Sequence, residues 1–192
     1  MSPMSGQQPA RAFRGLQFNV AQLLKQPTGT RRDYDLQADW PPMDDQLVVV
    51  EPLCGRVRLL RIGSGVLVTG QLGTVLELTC SRCLSDYRLA VQVELEEEFR
   101  PTIDILTGVW LEQEPDQDRA NLIDEHHILD LTEVVRQEVW LNVPMSPACR
   151  PDCQGLCPIC GQNLNEGACG CQPDVMDARW LSLVSSITRP ED

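Results

Sequence analysis

Eight of the nine cysteines in this chain of 192 residues stand in four close pairs, and that spacing restricts the fold more than any other feature. Cys80 and Cys83 form the first pair. Cys149 with Cys153, Cys157 with Cys160, and Cys169 with Cys171 follow within 23 residues. A zinc ion takes four ligands at tetrahedral corners, with Zn–S near ~2.3 Å, and a two-residue spacer turns both sulfurs of a pair towards one ion. Gly161, directly after Cys160, suits the turn beside the sulfurs because glycine enters positive φ without a Cβ penalty. Four pairs make two four-cysteine sites, and three partitions are open. The favoured one closes a local site from Cys157, Cys160, Cys169 and Cys171 around residues 161–168. Its long-range companion joins Cys80 and Cys83 to Cys149 and Cys153. The runner-up pairs the Cys80/Cys83 and Cys157/Cys160 knuckles, as in an ordinary zinc ribbon. Cys54 is left over as a buried or half-exposed free thiol.

Disulfides are the competing use of so many thiols. The first fifteen residues lack the apolar stretch of a secretory signal, and no apolar run approaches the ~18 residues that a bilayer span needs. A cytoplasmic, reducing setting without membrane contact is therefore expected, where paired thiols serve metal or redox chemistry. A thiol oxidoreductase would set its CxxC at a helix N-terminus. Here Cys80 and Cys83 lie between predicted strands, in the company of three other pairs. Eight sulfurs for about two zinc ions leave no open coordination position, so the metal is expected to be structural. His126 and His127, the only histidines, precede a predicted helix cap and read as solvated loop-end residues. No GxSxG, HExxH or phosphate-binding glycine loop occurs, and neither an enzyme nor a small-molecule substrate is expected.

The formal net charge is −12, and it is unevenly placed: residues 1–90 carry a net +2 and residues 91–192 a net −14. An acidic surface repels nucleic acid, so any RNA contact must come from the first half. Its candidates are Arg31, Arg32, Arg56, Arg58, Arg61 and Arg82.

Aromatics are only 5% of the chain, so aliphatic side chains must build the core. Residues 1–15 are polar and expected to be disordered. Residues 20–25 predict a short helix capped by Asn19, and residues 39–45 a loop. Short β-branched segments at 56–62 and 66–72 flank Gly63-Ser64-Gly65, a hairpin signal. Residues 74–79 form a further strand candidate after Gly73. Leu89, Val91, Val93, Leu95 and Phe99 alternate with Arg88, Gln92, Glu94, Glu96 and Glu98, the pattern of a long half-buried strand. Residues 107–125 read as an acidic exposed loop. Asp130 and Glu133 then resemble a capping box for a helix over 131–141. A second helix is predicted over 174–187.

Leu78-Thr-Cys80-Ser-Arg-Cys83-Leu84, the capped helix, Val143-Pro144-Met-Ser-Pro147 and Cys153-Gln-Gly155-Leu156-Cys157-Pro158-Ile-Cys160-Gly161-Gln-Asn163-Leu164-Asn165 together resemble the YceD family. These are the large ribosomal RNA subunit accumulation proteins. The resemblance spans about residues 16–187. It implies a non-enzymatic role in ribosome biogenesis, in the synthesis, processing or stability of large-subunit (23S) ribosomal RNA. The partner it implies is the large-subunit RNA precursor, met with or through a ribosomal protein. A transcription-associated zinc ribbon binding nucleic acid is the alternative, and a CxxC oxidoreductase a weaker one. The expected fold is α+β: an antiparallel, barrel-like sheet with a few helices and a zinc-stapled, cysteine-rich C-terminal segment. Residues 16–148 would form the core domain, and residues 149–192 the cysteine-rich segment with its helix.

Overall fold

The alternation of apolar and charged residues past Asp86 becomes the longest of the described strands, in a computed structural model that describes residues 11–40, 47–112 and 118–171. Val91, Val93, Leu95 and Phe99 turn inward and are buried, while Gln92, Glu94 and Glu96 face solvent. In chain order the strands are β1 (Arg11–Arg14), β2 (Gln17–Asn19), β3 (Arg31–Ala38), β4 (Val48–Val49), β5 (Leu53–Arg61), β6 (Val66–Thr79), β7 (Asp86–Pro101), β8 (Leu122–Ile123) and β9 (Ile128–Asp130). Two α-helices, α1 (Ala21–Leu24) and α2 (Thr132–Asn142), and a 3-10 turn at Arg119–Asn121 complete the regular elements among the described residues.

Strands β3, β5, β6 and β7 form an antiparallel meander, with β1 parallel to β3 at one edge and β8 parallel to β7 at the other. Strand β4 extends the sheet beside the far end of β6, and β2 pairs β9 in a separate ribbon. The β5–β6 turn closes where the glycines predicted it, with the Ile62 amide donating to the Gly65 carbonyl at 3.0 Å. A Cβ on Gly65 would collide with the Phe99 backbone carbonyl, so only glycine lets β7 pass this close. Helix α2 packs against β7 and buries Val134, Val135 and Val139, which are among the residues of the single large core. A stack of Phe13 on Phe18, ring centroids 4.2 Å apart, with Tyr34 beside both, fastens the N-terminal segment to that core.

Several expectations need correction. The fold is α+β, but the sheet is open: β1 and β8 stand at opposite ends of the strand order, so it does not close into a barrel. Gly73 does not divide β6; the strand runs through it, and Gly73 pairs with Cys54 on one side and Gln92 on the other. Arg11–Arg14, expected in a disordered N-terminus, pairs with β3 instead. The expected loop over 107–125 contains a 3-10 turn at Arg119–Asn121 and strand β8, whose Ile123 is fully buried. The capping box does not form. Asp130 accepts from the Thr132 amide at 2.8 Å, whereas Glu133 turns outward to Arg136 and Gln137. Asn19 does accept from the Ala21 amide at 3.1 Å, at the start of a helix of one turn. The helix predicted over 174–187 and most of the loop over 39–45 lie outside the described residues.

Candidate metal centre

Strand β6 delivers Cys80 at its end, and the chain turns back through Ser81, Arg82 and Cys83 before β7 begins. The turn is tight: the Leu84 amide donates to the Cys80 carbonyl at 3.0 Å, and Leu84 takes φ 58°. Residue 84 thus occupies the place that Gly161, with φ 75°, takes in the second knuckle. The segment after α2 returns to this turn. The Ser81 amide donates to the Pro147 carbonyl at 2.7 Å, and the Leu156 amide to the Arg82 carbonyl at 3.1 Å. These bonds bring Cys149 and Cys153 beside Cys80 and Cys83.

The eight paired cysteines gather into two sets, Cys80 with Cys83, Cys149 and Cys153, and Cys157 with Cys160, Cys169 and Cys171. Within each set all four sulfurs lie within 4.8 Å of one another. This grouping is the favoured partition and not the ribbon-like runner-up. Cys80 and Cys153 stand 3.9 Å apart, sulfur to sulfur, and Cys83 and Cys149 3.7 Å. A tetrahedron with ~2.3 Å arms has edges of about 3.8 Å, whereas a disulfide needs about 2.05 Å. The sulfurs are therefore spaced for a shared ion and not for a bond. Both clusters could hold a metal ion.

The electrostatics agree. The Cys83 backbone amide foremost, with those of Cys149 and Arg82, draws the Cys80 thiol down to about 6. The Cys160 amide foremost, with that of Ile159, does the same for Cys157, again to about 6. Burial pushes Cys149 up to about 12, and the neighbouring Cys160 together with burial pushes Cys171 up to about 12. Four sulfurs this close cannot all carry negative charge by themselves. A dication at the centre removes that conflict and displaces the remaining protons. Neither His126 nor His127 joins a cluster: His126 is exposed, and His127 is half-buried in a turn at φ 60°. Cys54, expected buried or half-exposed, is exposed on the outer face of β5.

The arginine candidates are mostly occupied. Arg56 pairs with Asp35 at 3.2 Å and Arg58 with Asp33 at 2.6 Å, each across the β3–β5 ladder. Arg61 is spent on the carbonyls of Leu24, Ile62 and Gly65. Arg82 reaches the Cys153 carbonyl at 3.3 Å, bracing the first cluster. Arg31 and Arg32 begin β3 and have no carboxylate partner among the described residues. The cross-strand pairing of Arg56 and Arg58 was not readable beforehand, because it depends on register between strands about twenty residues apart.

A family model described as "Large ribosomal RNA subunit accumulation protein YceD" matches residues 68–185, a span that holds both cysteine clusters. The chain belongs to the YceD family. An uncharacterised protein of Mycobacterium tuberculosis is 37% identical over 136 residues, covering 71% of this chain and 62% of its own. One of Mycobacterium leprae is 30% identical over 145 residues, covering 74% of this chain and 64% of its own. An Arabidopsis thaliana YceD protein, named large ribosomal RNA subunit accumulation protein YCED homolog 1, chloroplastic, is 25% identical over 153 residues, 69% of this chain and 47% of its own. The chain thus spans less than two thirds of the length of the curated YceD relatives it matches. No solved structure matches. No helix among the described residues is long and apolar enough to cross a membrane.

Proposed function

We propose that this protein is a non-enzymatic factor in biogenesis of the large ribosomal subunit, held in shape by two structural zinc ions. Membership of the YceD family, whose plant members are named for accumulation of the large ribosomal RNA, carries the reading. The zinc assignment rests on the donor set: four thiols per cluster, at tetrahedral spacing, are the ligands zinc prefers, and they leave no position for a substrate. The protein works in the cytoplasm. Removing its gene should lower large-subunit RNA relative to small-subunit RNA and raise unprocessed precursor. An unchanged ratio of the two RNAs would overturn the reading.

Contact with the precursor runs chiefly through a basic ribosomal protein. Asp35 and Asp33 pair with Arg56 and Arg58, which offsets the positive charge of those two arginines on the outer face of the sheet. Glu94 and Glu96 are exposed on that face and make an acidic row opposite the arginines, across Gln71 and Thr69. Glu98 contributes less, because it is bound to Arg100 at 3.0 Å and its carboxyl is held low by Ser64 and Arg100. Binding to naked RNA should accordingly be about micromolar or weaker and should fall with salt. Glu94→Lys with Glu96→Lys should abolish co-sedimentation with large-subunit precursors. Substituting Arg56 and Arg58 by Ala should have the smaller effect, and the reverse order would refute a protein-mediated contact.

A further inference from the structure

Asn165 lies in the loop that closes the C-terminal cluster, yet its side chain serves the other one. Its Nδ2 donates to the Cys153 sulfur at 3.4 Å and to Asn163 Oδ1 at 2.8 Å. Its Oδ1 accepts from the Gln154 amide at 2.9 Å and from Arg150 Nη2 at 2.7 Å. Both amide protons and both oxygen lone pairs are therefore used. That fixes the orientation: a flipped amide would place oxygen against the sulfur and set the NH2 group against two donors. The loop itself is folded onto the first cluster. The Leu164 amide donates to the Gly155 carbonyl at 2.9 Å, Asn163 bridges Leu156, and the Asn163 side chain reaches Ser85 at 3.5 Å. Cys157 and Cys160 anchor one end of this loop, and Cys169 and Cys171 the other.

We infer that Asn165 couples the two cysteine sites, so that a metal ion in the Cys157/Cys160/Cys169/Cys171 site strengthens metal binding at the Cys80/Cys83/Cys149/Cys153 site. The proposal rests on the metal reading of the clusters given above. The physical route is short. Without an ion the C-terminal knuckle holds its loop by only a few hydrogen bonds. With one, residues 161–168 are closed at both ends, and the Asn165 N–H is held on the Cys153 sulfur, where it stabilises thiolate charge. Groups that hydrogen-bond metal ligands typically change metal affinity by about 10–100-fold. Linkage makes the effect reciprocal: loading the first site must favour the second by the same factor.

The test is a competitive chelator titration of the full-length protein with zinc, following each site through its own cysteine signals by NMR. Asn165→Ala should weaken the Cys80-containing site about 10–100-fold and abolish the dependence of its affinity on whether the C-terminal site is filled. Asn165→Asp, which sets an anionic acceptor against the Cys153 sulfur, should weaken it further. Cys169→Ser with Cys171→Ser should produce a similar loss at the first site, and adding Asn165→Ala to that pair should cause no more. In the cadmium-113-substituted protein, the Asn165 side-chain amide proton should show scalar coupling to the metal of the first site, a signal that a merely structural residue would not give. Equal affinities in wild type and Asn165→Ala, or losses that add in the combined variant, would overturn the coupling while leaving the metal sites standing. Failure of either cluster to take zinc at all would instead sink the metal reading itself.

Discussion

Replacing Cys83 by Ser should untie the C-terminal segment from the sheet. The link it belongs to is long-range: Cys83 and Cys149 are 66 positions apart, and Cys80 and Cys153 are 73. On the chain-entropy scale for cross-links, closing a loop of that length is worth about 4 kcal/mol, against about 2.6 kcal/mol for the nine-position separation of Cys160 and Cys169. A serine hydroxyl is a poor zinc ligand, so Cys83→Ser forfeits most of the larger figure, a substantial share of the ~5–15 kcal/mol that holds a domain of this size. Urea unfolding in excess zinc should register that loss. Hydrogen exchange should locate it: the Ser81 and Leu156 amides, which donate to Pro147 and Arg82, should both lose protection. Cys160→Ser is the control. In excess zinc it should expose the Cys157 and Gly161 amides, which donate to Gln162 and Cys157, while Ser81 stays protected. Continued protection of Ser81 in Cys83→Ser, or identical exchange maps for the two variants, would refute the long-range link.

Leu84→Gly should stabilise the protein by about 1 kcal/mol in thermal or urea unfolding, since Leu84 is 64% exposed at φ 58° and buries little in return for its left-handed backbone. A loss of stability would mean that the side chain makes a contact of its own. Phe99→Ala should cost about 3–5 kcal/mol, because the ring is fully buried between the sheet and its cover; a loss below ~1 kcal/mol would show the core to be loosely packed there. Arg136 and Gln137 hold the Glu133 carboxyl at about 2 instead of 4.5. The pair should therefore support α2 fully above pH 4.5 and fade as the pH falls towards 2. Carboxyl titration by NMR checks the midpoint, and Glu133→Gln should cost under ~1 kcal/mol at pH 7, since both partners are partly solvated.

The cysteine spacing and the alternation around β7 were legible because each is local: the paired cysteines are separated by one to three residues, and a half-buried strand repeats every second one. Strand β3 was hidden by its own composition. Only Tyr34, Leu36 and Ala38 face inward there, behind Arg31, Arg32, Asp33 and Asp35, so the period is too short to stand out. Strand β1 was hidden by distance, since it pairs with β3 about twenty residues on and Phe13 packs edge-on to Tyr34 of that strand. The capping box failed for a competitive reason. Glu133 has a choice between reaching back to an amide and pairing with Arg136, and a charged partner one turn on wins. At the two cysteine clusters the paired thiols were readable and their supports were not. Asn165 stood within a string that marked the family, but besides its neighbour Asn163 it bonds to Arg150, Cys153 and Gln154, which the fold brings to it.

On the structural-zinc reading proposed above, two ions, each bound by four cysteines, tie this fold together. Elemental analysis of protein purified from zinc-replete cells, paired with native mass spectrometry, tests it most directly. Two zinc ions per chain are expected, both removable by a strong chelator, with eight thiols becoming reactive as they leave and Cys54, already exposed, reacting beforehand. One ion per chain, none, or sulfurs recovered as disulfides would contradict it.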